Sequence, residues 1–406
     1  PKNISVIVGY KAKEVKHAFP HEKVNWILQE KQLGTGDAVK CAIPNLIGQQ
    51  TLILYGDVPL IKINELKKLI KKGEKGLSIL TFDKINPTGY GRIVRGLNDV
   101  EAIVEEKDCS DDQKEITEVN TGIMVADTKY LINWLSLISN INSQKEYYLT
   151  DIVALAKKDS IKINTIEASS EITVSGVNSK IELAKMERAI QLKKSNALME
   201  QGVTLLDPSR TDIRGHLDCG TDVVIDVGCI FEGKVKIGKN VTIGAYSILK
   251  DSEILNDSII KPYSHIDNAK VGKNNIIGPY ARLRPGTVTN ENVHIGNFVE
   301  IKNSKIDSGS KINHLSYVGD SIVGKNVNVG AGTITCNYDG VNKHQTIIED
   351  NVFIGSNTQL VAPVKIGAGS TIGAGSTITK NTPVNKLSLS RAKQTSIPSW
   401  EKPKKS

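Results

Sequence analysis

The sequence predicts an α/β domain followed by a parallel β-helix built from six-residue repeats. Residues 1 to 179 alternate β-branched apolar runs with helical patterns, which indicates a largely parallel sheet covered by helices. In the C-terminal half, two separate runs place an apolar residue at every sixth position. These runs are Ile225, Phe231, Ile237, Ile243 and Leu249, and Ile354, Leu360, Ile366, Ile372 and Ile378.

The N-terminal strands and one helix are visible as local patterns. We predict strands in SVIVGY, TLILYGD, LSILTF and TGIMVAD, and a helix in NELKKLIKKG. Ligands of such sheets lie beyond the carboxyl ends of the strands. Asp57 follows one strand together with Tyr55 and Gly56, and its carboxylate would suit a hard cation that holds phosphates. A turn cap is an equally good interpretation of Asp57 alone.

The domains are expected to be joined by a helix. Residues 180 to 201 contain no glycine or proline and show helical apolar spacing, which predicts a helix that ends at Gly202. We therefore predict an N-terminal domain over 1–179, a linker helix over 180–201, and a β-helix domain over 202–406 with a basic C-terminal tail.

A period of six fits neither a helix nor a long alternating strand, but it is typical of a hexapeptide β-helix. One aliphatic side chain per hexad would point to the axis. Gly355 and Gly373 follow such residues and are expected to ease the turns, while Thr358 and Ser376 would fill tighter inward positions. An interruption from Gly319 to Ile348 predicts a loop. An antiparallel sandwich with a coincidental period is the alternative.

Composition limits the possible partners and locations. The chain has 406 residues, a net charge of +8 and five cysteines without a Cys-x-x-Cys pair. An odd number of cysteines favours free thiols in a reducing compartment, so we expect a cytoplasmic protein. No apolar run approaches the roughly 20 residues of a membrane span, and the start lacks a signal-peptide pattern. Few aromatic residues and no recognisable motif argue against nucleic-acid binding.

Several polar stretches are candidates for ligand binding. Gln29 and the Gly-rich loop over 32–36 offer amides and a hydroxyl to a nucleotide. Arg284 beside a turn suits a phosphate, although a surface salt bridge is as good an interpretation. His314 is the histidine with the most hydrogen-bonding neighbours and could remove a proton from an amine that attacks a thioester. Small residues on stacked coils would leave a groove for a cofactor, or could be plain corner residues.

Together these stretches resemble one family over essentially the whole chain. The motifs are LQEKQLGTGDAV, LYGDVPL, PTGYGRI, IVEEKD, EVNTGI, EYYLTDI, SGVNSK, ARLRPG, NHLSYVGD, VNVGAGTITCNYDG and FIGSNTQLVAPV. They resemble the bifunctional N-acetylglucosamine-1-phosphate uridyltransferase/glucosamine-1-phosphate acetyltransferase family. The resemblance implies an α/β nucleotidyltransferase-like (Rossmann-like) domain followed by a left-handed parallel β-helix of hexapeptide repeats.

The resemblance also implies roles for individual residues. In the N-terminal domain, Asp57 and Asn178 would bind Mg²⁺, with UTP as cosubstrate. Implied nucleotide contacts are Gln29, Gly34, Thr35, Tyr55 and Gly56, and implied N-acetylglucosamine contacts are Gly91, Glu105 and Asn120. In the β-helix, His314 would be the proton acceptor. Implied contacts to glucosamine 1-phosphate are Arg284, Lys302, Tyr317 and Asn328. Implied contacts to acetyl-CoA are Ala331, Asn337, Tyr338, Ser356, Ala374 and Arg391, and Asn337 and Tyr338 could also contact the sugar substrate.

The resemblance further implies a homotrimer with sites between neighbouring β-helices. The family opens with a strand and a loop of the type LAAGxGTRM, and neither occurs in these 406 residues. We therefore expect the uridyltransferase domain to be truncated at its start, and its activity in this chain stays open. The alternatives are a fragment with acetyltransferase activity alone and another sugar-nucleotide pyrophosphorylase with a hexapeptide tail. A γ-type carbonic anhydrase and a non-catalytic scaffold are more distant alternatives.

Overall fold

The computed structural model describes residues 3–74, 76–97 and 99–403. The chain divides into two units, residues 1–186 and 187–406. Within the described ranges, no helix combines the length and apolar character needed to cross a membrane.

The described residues of the first unit form eight strands and most of the helices. Its strands are β1 (Ser5–Val8), β2 (Asn25–Leu28), β3 (Gln50–Ile53), β4 (Leu77–Asp83), β5 (Arg92–Arg95), β6 (Val100–Val104), β7 (Glu118–Asp127) and β8 (Ile163–Glu167). The helices are α1 (Ala12–Ala18), α2 (Thr35–Cys41), α3 (Ile63–Lys72), α4 (Asp111–Lys114), α5 (Thr128–Leu137), α6 (Asp151–Lys158), α7 (Glu171–Val174) and α8 (Lys180–Glu200), which continues into the second unit. The four predicted strands and the predicted helix correspond to β1, β3, β4, β7 and α3.

The prediction of a largely parallel sheet is wrong for the main sheet of this unit. Strands β3 to β8 form one sheet of six strands, in which β7 pairs antiparallel with β3, β4 and β5, and β5 pairs antiparallel with β6. Only the β4–β8 pair is parallel in this sheet. Both faces of β7 are buried, and its apolar segment 123–126 is continuous rather than alternating, a pattern that does not reveal strand direction.

The sheet separates two hydrophobic cores. Alternate residues of β7 point to opposite sides, so that Met124 and Ala126 join one core while Ile123 and Val125 join the other. The first core includes the fully buried Trp134 of α5. The sheet is therefore buried on both faces.

The second unit is a parallel β-helix with three faces. Face one contains Thr204–Leu205, Val224–Ile225, Thr242–Ile243, Ile259–Ile260, Ile276–Ile277, His294–Asn297, Lys311–His314, Asn328–Val329, Phe353–Ile354, Thr371–Ile372 and Leu387–Ser388. Face two contains the first parts of Asp212–Cys219 and Ile230–Ile237, then Ile248–Lys250, His265–Asp267, Arg282–Leu283, Glu300–Lys302, Tyr317–Gly319, Ile334–Cys336, Gln359–Val361 and Thr377–Ile378. Face three contains the remaining parts of the two long strands, then Glu253–Ile254, Lys270–Val271, Val288–Thr289, Lys305–Ile306, Ser321–Val323, Thr346–Ile348 and Val364–Ile366.

The six-residue repeat corresponds to one face of a β-helix coil, as the sequence predicted, and its apolar residue points inward. Ile225, Ile243 and Ile260 are successive partners on face one, so that one coil takes seventeen or eighteen residues and three hexads. All ten apolar residues of the two repeat runs are buried, and so are Thr358 and Ser376. The hydroxyls of these two residues donate to the carbonyls of the corner glycines at 2.7 and 2.6 Å.

The reason predicted for the corner glycines is wrong. Gly355 and Gly373 do not adopt positive φ, and the left-handed residues lie two positions later, at Asn357 and Gly375. A Cβ atom on Gly355 would lie 2.5 Å from the backbone nitrogen of Ala374. These glycines therefore allow the next coil to approach closely and are not required for the turn.

Two features of the second unit depart from the regular coils, namely the helix before them and a loop inserted between two strands. Helix α8 covers the predicted helical stretch, and its Gln191 side chain both donates to and accepts from the backbone of Ile213, while Leu198 joins the β-helix core. The predicted interruption is narrower than Gly319 to Ile348, because the extra residues lie between Cys336 and Thr346. This segment, residues 337–345, is called the inserted loop below.

Candidate functional site

The loop before α2 is shaped around Gly34. This residue has φ of 115°, and a Cβ atom there would lie 2.5 Å from the carbonyl oxygen of Tyr147. The buried Gln29 side chain donates to the Gly34 carbonyl at 3.2 Å and to the Asp37 carboxylate at 2.7 Å. Glycine is required here because both the backbone conformation and the available space exclude a side chain.

Tyr55 links this loop to the predicted sugar contacts. Burial, with the negative charge of Glu105, raises the pKa of Tyr55 to about 12, and the nearby Thr35 side chain partly offsets this rise. Its ring covers Gly122, where a Cβ atom would overlap the ring carbons. The tyrosine is therefore a neutral hydrogen-bonding group near pH 7.

The three predicted sugar contacts lie together. The backbone nitrogen of Asn120 donates to the carbonyl of Gly91 at 2.8 Å, and a Cβ atom on Gly91 would lie 3.3 Å from a carboxylate oxygen of Glu105. The Thr150 hydroxyl donates to the other oxygen of Glu105 at 2.9 Å. Burial raises the pKa of Glu105, and the Thr150 hydrogen bond partly offsets this effect. The group offers acceptors beside a glycine whose missing side chain leaves the Glu105 carboxylate uncovered.

Asp57 and Asn178 lie on either side of Gly176. A Cβ atom on that glycine would lie 3.0 Å from Oδ2 of Asp57 and 3.6 Å from Nδ2 of Asn178, and the Asp57 carbonyl accepts from Val177 at 2.9 Å. Both side chains are on exposed residues. A carboxylate and an amide with open space beside them fit Mg²⁺, which keeps water and phosphate oxygens among its ligands. No cluster of three His, Cys, Asp or Glu residues with metal-binding geometry occurs in the part of the chain that the structure describes.

In the β-helix, His314 begins a column of small residues at the corner between faces one and two. Strand register places His314, Ala331, Ser356 and Ala374 at equivalent positions of four successive coils. We call these four residues the His314 column. Arg391 lies beyond its end, and its guanidinium donates to the Ala374 carbonyl at 2.8 Å. The arrangement is a narrow strip without large side chains, with an exposed imidazole at one end and a cation at the other.

A second group lies at the far end of face two. Lys302 and Tyr317 belong to neighbouring strands of this face, and Asn337 donates to Asp320 beside them. The pKa of Lys343, in the inserted loop, is lowered by the adjacent Lys302 ammonium. Two neighbouring ammonium groups form a site where an anion such as a phosphate would be stabilised.

The remaining predicted residues lie around these groups. Arg284 is the coil neighbour of Lys302, and its guanidinium contacts Glu300 at 2.8 Å. Asn328 is on face one, so the His314 column separates it from Tyr317. Tyr338 is in the inserted loop and 61% exposed. Asn337 therefore lies near Lys302 and Tyr317, two of the residues for which the sequence predicts contacts to the sugar phosphate.

Sequence reasoning missed three neighbours of the predicted residues, namely Thr150, Lys343 and Asn297. Oδ1 of Asn297 lies 2.9 Å from Nδ1 of His314, and the two residues are register partners. Asn297 precedes His314 by seventeen residues, which is one coil, so the repeat length could have identified it. No comparable signal marks Thr150 or Lys343, because their contacts depend on loop geometry.

Comparison with family models identifies two parts of the β-helix. Residues 213–297 match the family described as GMPPB C-terminal domain. Residues 345–380 match bacterial transferase hexapeptide (six repeats). The hexapeptide match and the three-faced architecture confirm the predicted left-handed parallel β-helix.

Full-length relatives are similar to both units. Bifunctional protein GlmU of Nitrosospira multiformis is 55% identical and is matched over 100% of this chain and 89% of the relative. Bifunctional protein GlmU of Nitrosomonas europaea is 56% identical, over 100% of this chain and 90% of the relative. The protein of the same name from Methylobacillus flagellatus is 52% identical, over 100% and 88%.

Proposed function

Because the chain belongs to the GlmU family of bifunctional enzymes, which combine glucosamine-1-phosphate acetyltransferase and N-acetylglucosamine-1-phosphate uridyltransferase activities, we propose that its two candidate sites carry out these two reactions. The membership confirms the family inferred from the motifs. It does not favour another hexapeptide-tailed pyrophosphorylase. The observation that carries the assignment of residues is the His314 column, which joins a basic side chain to a strip that can hold an extended thioester.

At the β-helix, the amine of glucosamine 1-phosphate attacks the thioester carbonyl of acetyl-CoA directly. Nε2 of His314 accepts the proton that the amine loses, the new C–N bond forms, and the C–S bond breaks to release CoA thiolate, which takes up a proton. The pantetheine arm lies along Ala331, Ser356 and Ala374, and Arg391 binds a phosphate of the cofactor. Because the column side chains are small, the arm can approach the backbone.

The sugar phosphate is bound on face two. Arg284 and Lys302 supply the charge for the phosphate, and Tyr317 lies on this face between them and the His314 column. Asn337 extends this group, and Asn328 contacts the sugar from the other side of the His314 column. Asn337 and Tyr338 also contact acetyl-CoA. The distance between the cations and His314 keeps the phosphate away from the reacting amine.

The cysteines support transfer without a covalent intermediate. Burial raises the pKa of all five thiols, to about 12 for Cys219 and about 11 for Cys229. Cys336 is included, so its thiolate is disfavoured and it is a poor nucleophile. All five are free thiols, and a cytoplasmic location remains a prediction from them.

At the first unit, an oxygen of N-acetylglucosamine 1-phosphate attacks the α-phosphorus of UTP and pyrophosphate leaves. Gln29, Gly34, Thr35, Tyr55 and Gly56 bind the nucleotide. The sugar is bound by Gly91, Glu105 and Asn120. Asp57 and Asn178 would hold Mg²⁺, which when bound neutralises phosphate charge and orients the reacting groups.

Parallel assays on one sample test both assignments. We expect the 406-residue chain to release CoA when given glucosamine 1-phosphate and acetyl-CoA. Pyrophosphate release from UTP and N-acetylglucosamine 1-phosphate reports on the first unit. If that activity is present, Asp57→Asn, which removes the charge and keeps the shape, should abolish it and leave CoA release unchanged. Absence of CoA release, or equal loss of both activities in Asp57→Asn, would contradict the assignments.

The oligomer that we propose is a homotrimer, and an exposed aromatic ridge supports self-association. Tyr246, Tyr263, Tyr280 and Phe298 stack along one corner with ring centroids 4.9 to 5.4 Å apart. All four have positive φ, which costs about 1–2 kcal/mol for such residues. They are 42% to 56% exposed. The faces of the rings are covered by the neighbouring rings, and their edges are exposed to solvent. These edges form an apolar ridge that a second copy of the chain could cover.

Removal of two rings from this ridge should weaken the oligomer. Asparagine tolerates positive φ, so the double variant Tyr263→Asn/Tyr280→Asn should keep the β-helix backbone. Light scattering should then show a shift from the trimer towards the 44.2 kDa chain. Tyr10→Asn, at an exposed tyrosine of the first unit, is the control. A variant with the wild-type mass at low micromolar concentration, or a monomeric wild type, would disprove this role of the ridge.

A further inference from the structure

The ring of His314 has one defined partner in the β-helix. Its Nδ1 lies 2.9 Å from Oδ1 of Asn297, and the two residues are Cα partners in neighbouring strands of face one. The backbone nitrogen of the following residue, Leu315, donates to the Asn297 carbonyl at 3.1 Å. The side chain and backbone of Asn297 therefore both lie directly beside the segment that presents the imidazole.

This contact selects one of the two neutral forms of the ring. A carboxamide oxygen can only accept hydrogen bonds, so the imidazole nitrogen that faces it must carry the proton. With the proton on Nδ1, Nε2 keeps its lone pair. A base that accepts a proton from an amine needs this form, because the other tautomer would present an N–H group to the substrate.

The charges of neighbouring groups are relevant to whether an amide or a carboxylate is the better partner for His314. Burial lowers the pKa of His294, and the nearby Lys261, Lys311 and His314 lower it further. Among the described residues, the ring of His314 is hydrogen-bonded to this amide and to no carboxylate. A neutral partner orients the ring without adding the negative charge that would favour the imidazolium.

We propose that Asn297 is a positioning residue that holds His314 in the Nδ1-protonated tautomer, with Nε2 facing the substrate amine. The proposal rests on the proposed function of His314. Asn297 acts through the imidazole and touches neither substrate. Its loss should therefore lower kcat and leave the KM values for both substrates near those of the wild type.

Two substitutions separate orientation from charge. Asn297→Ala removes the acceptor, and we expect kcat for CoA release to fall by about 10²-fold, because the base loses its fixed orientation. Asn297→Asp keeps an acceptor at the same position and should restore part of kcat. Its negative charge favours the imidazolium, so the acidic limb of the pH–rate profile should move to higher pH. Asn290→Ala is the matched control, since Asn290 bridges neighbouring coils through Asp307 at another corner.

Nitrogen NMR of the histidine side chains tests the tautomer without any turnover. We expect the His314 signal, assigned by its disappearance in His314→Ala, to show a protonated Nδ1 in the wild type and a mixture in Asn297→Ala. An Nε2-protonated wild type, or an Asn297→Ala variant with wild-type kcat and an unchanged spectrum, would overturn the proposal. Full activity in His314→Ala would instead overturn the proposed function, while the tautomer result would still stand.

Discussion

Replacement of His314 by alanine is expected to lower the turnover of acetyl transfer by about 10²–10⁴-fold, the usual contribution of a positioned general base. The amine would have to lose its proton to solvent, while the groups proposed to bind the sugar phosphate and the cofactor stay in place. The change should therefore appear in kcat more than in KM. Free thiol released with glucosamine 1-phosphate and acetyl-CoA measures it directly.

His216→Ala is the matched control for this experiment. His216 is an exposed histidine on the strand Asp212–Cys219 of the same β-helix, five coils before His314. Its variant should keep wild-type turnover. Light scattering on both variants would show whether the oligomer is retained. Retained activity in His314→Ala with an intact oligomer would show that another group accepts the proton.

Replacement of Phe231 by alanine should lower the free energy of unfolding by about 3–5 kcal/mol. Phe231 is 1% exposed and fills the axis of the β-helix at face two. Truncation leaves a cavity that the neighbouring coils cannot close, because their backbones are fixed by hydrogen bonds on all three faces. Urea denaturation followed by circular dichroism measures the effect.

Phe353→Ala provides the comparison within the same architecture. Phe353 is 49% exposed and points outward from face one. Its loss creates no internal cavity, so the expected change is within about 0.5 kcal/mol. Equal destabilisation by the two substitutions would contradict the inward assignment of the six-residue repeat.

The β-helix could be predicted in detail because its signal is local and repeated. A single aliphatic residue per hexad, such as Ile354, meets its counterpart in the next coil, so one period fixes the number of faces and the inward positions. The same period also fixes which residues of successive coils are neighbours. Asn297 could have been paired with His314 on that basis.

Features that depend on long-range packing were not predicted. The direction of β7 is set by its pairing with β3, β4 and β5, and an apolar run carries no information about it. The reason for Gly355 was also wrong, since a close approach by the next coil lies outside its own hexad. In the first unit, the candidate ligand-binding residues came from the family resemblance that the order of the motifs indicated. Some of them, such as Tyr55 and Thr35, are neighbours in the structure.

The stacking of coils converts residue counting into length. Adjacent coils lie about 4.8 Å apart, so the four steps from His314 to the coil of Arg391 measure about 19 Å along the corner. The β-helix therefore sets the distance between these two side chains in steps of one coil, whether or not a coil carries an inserted loop. Deletion of one coil between His314 and Arg391 would shorten this distance by about 4.8 Å. If acetyl-CoA binds at Arg391 as proposed, its thioester would then lie beyond the His314 imidazole.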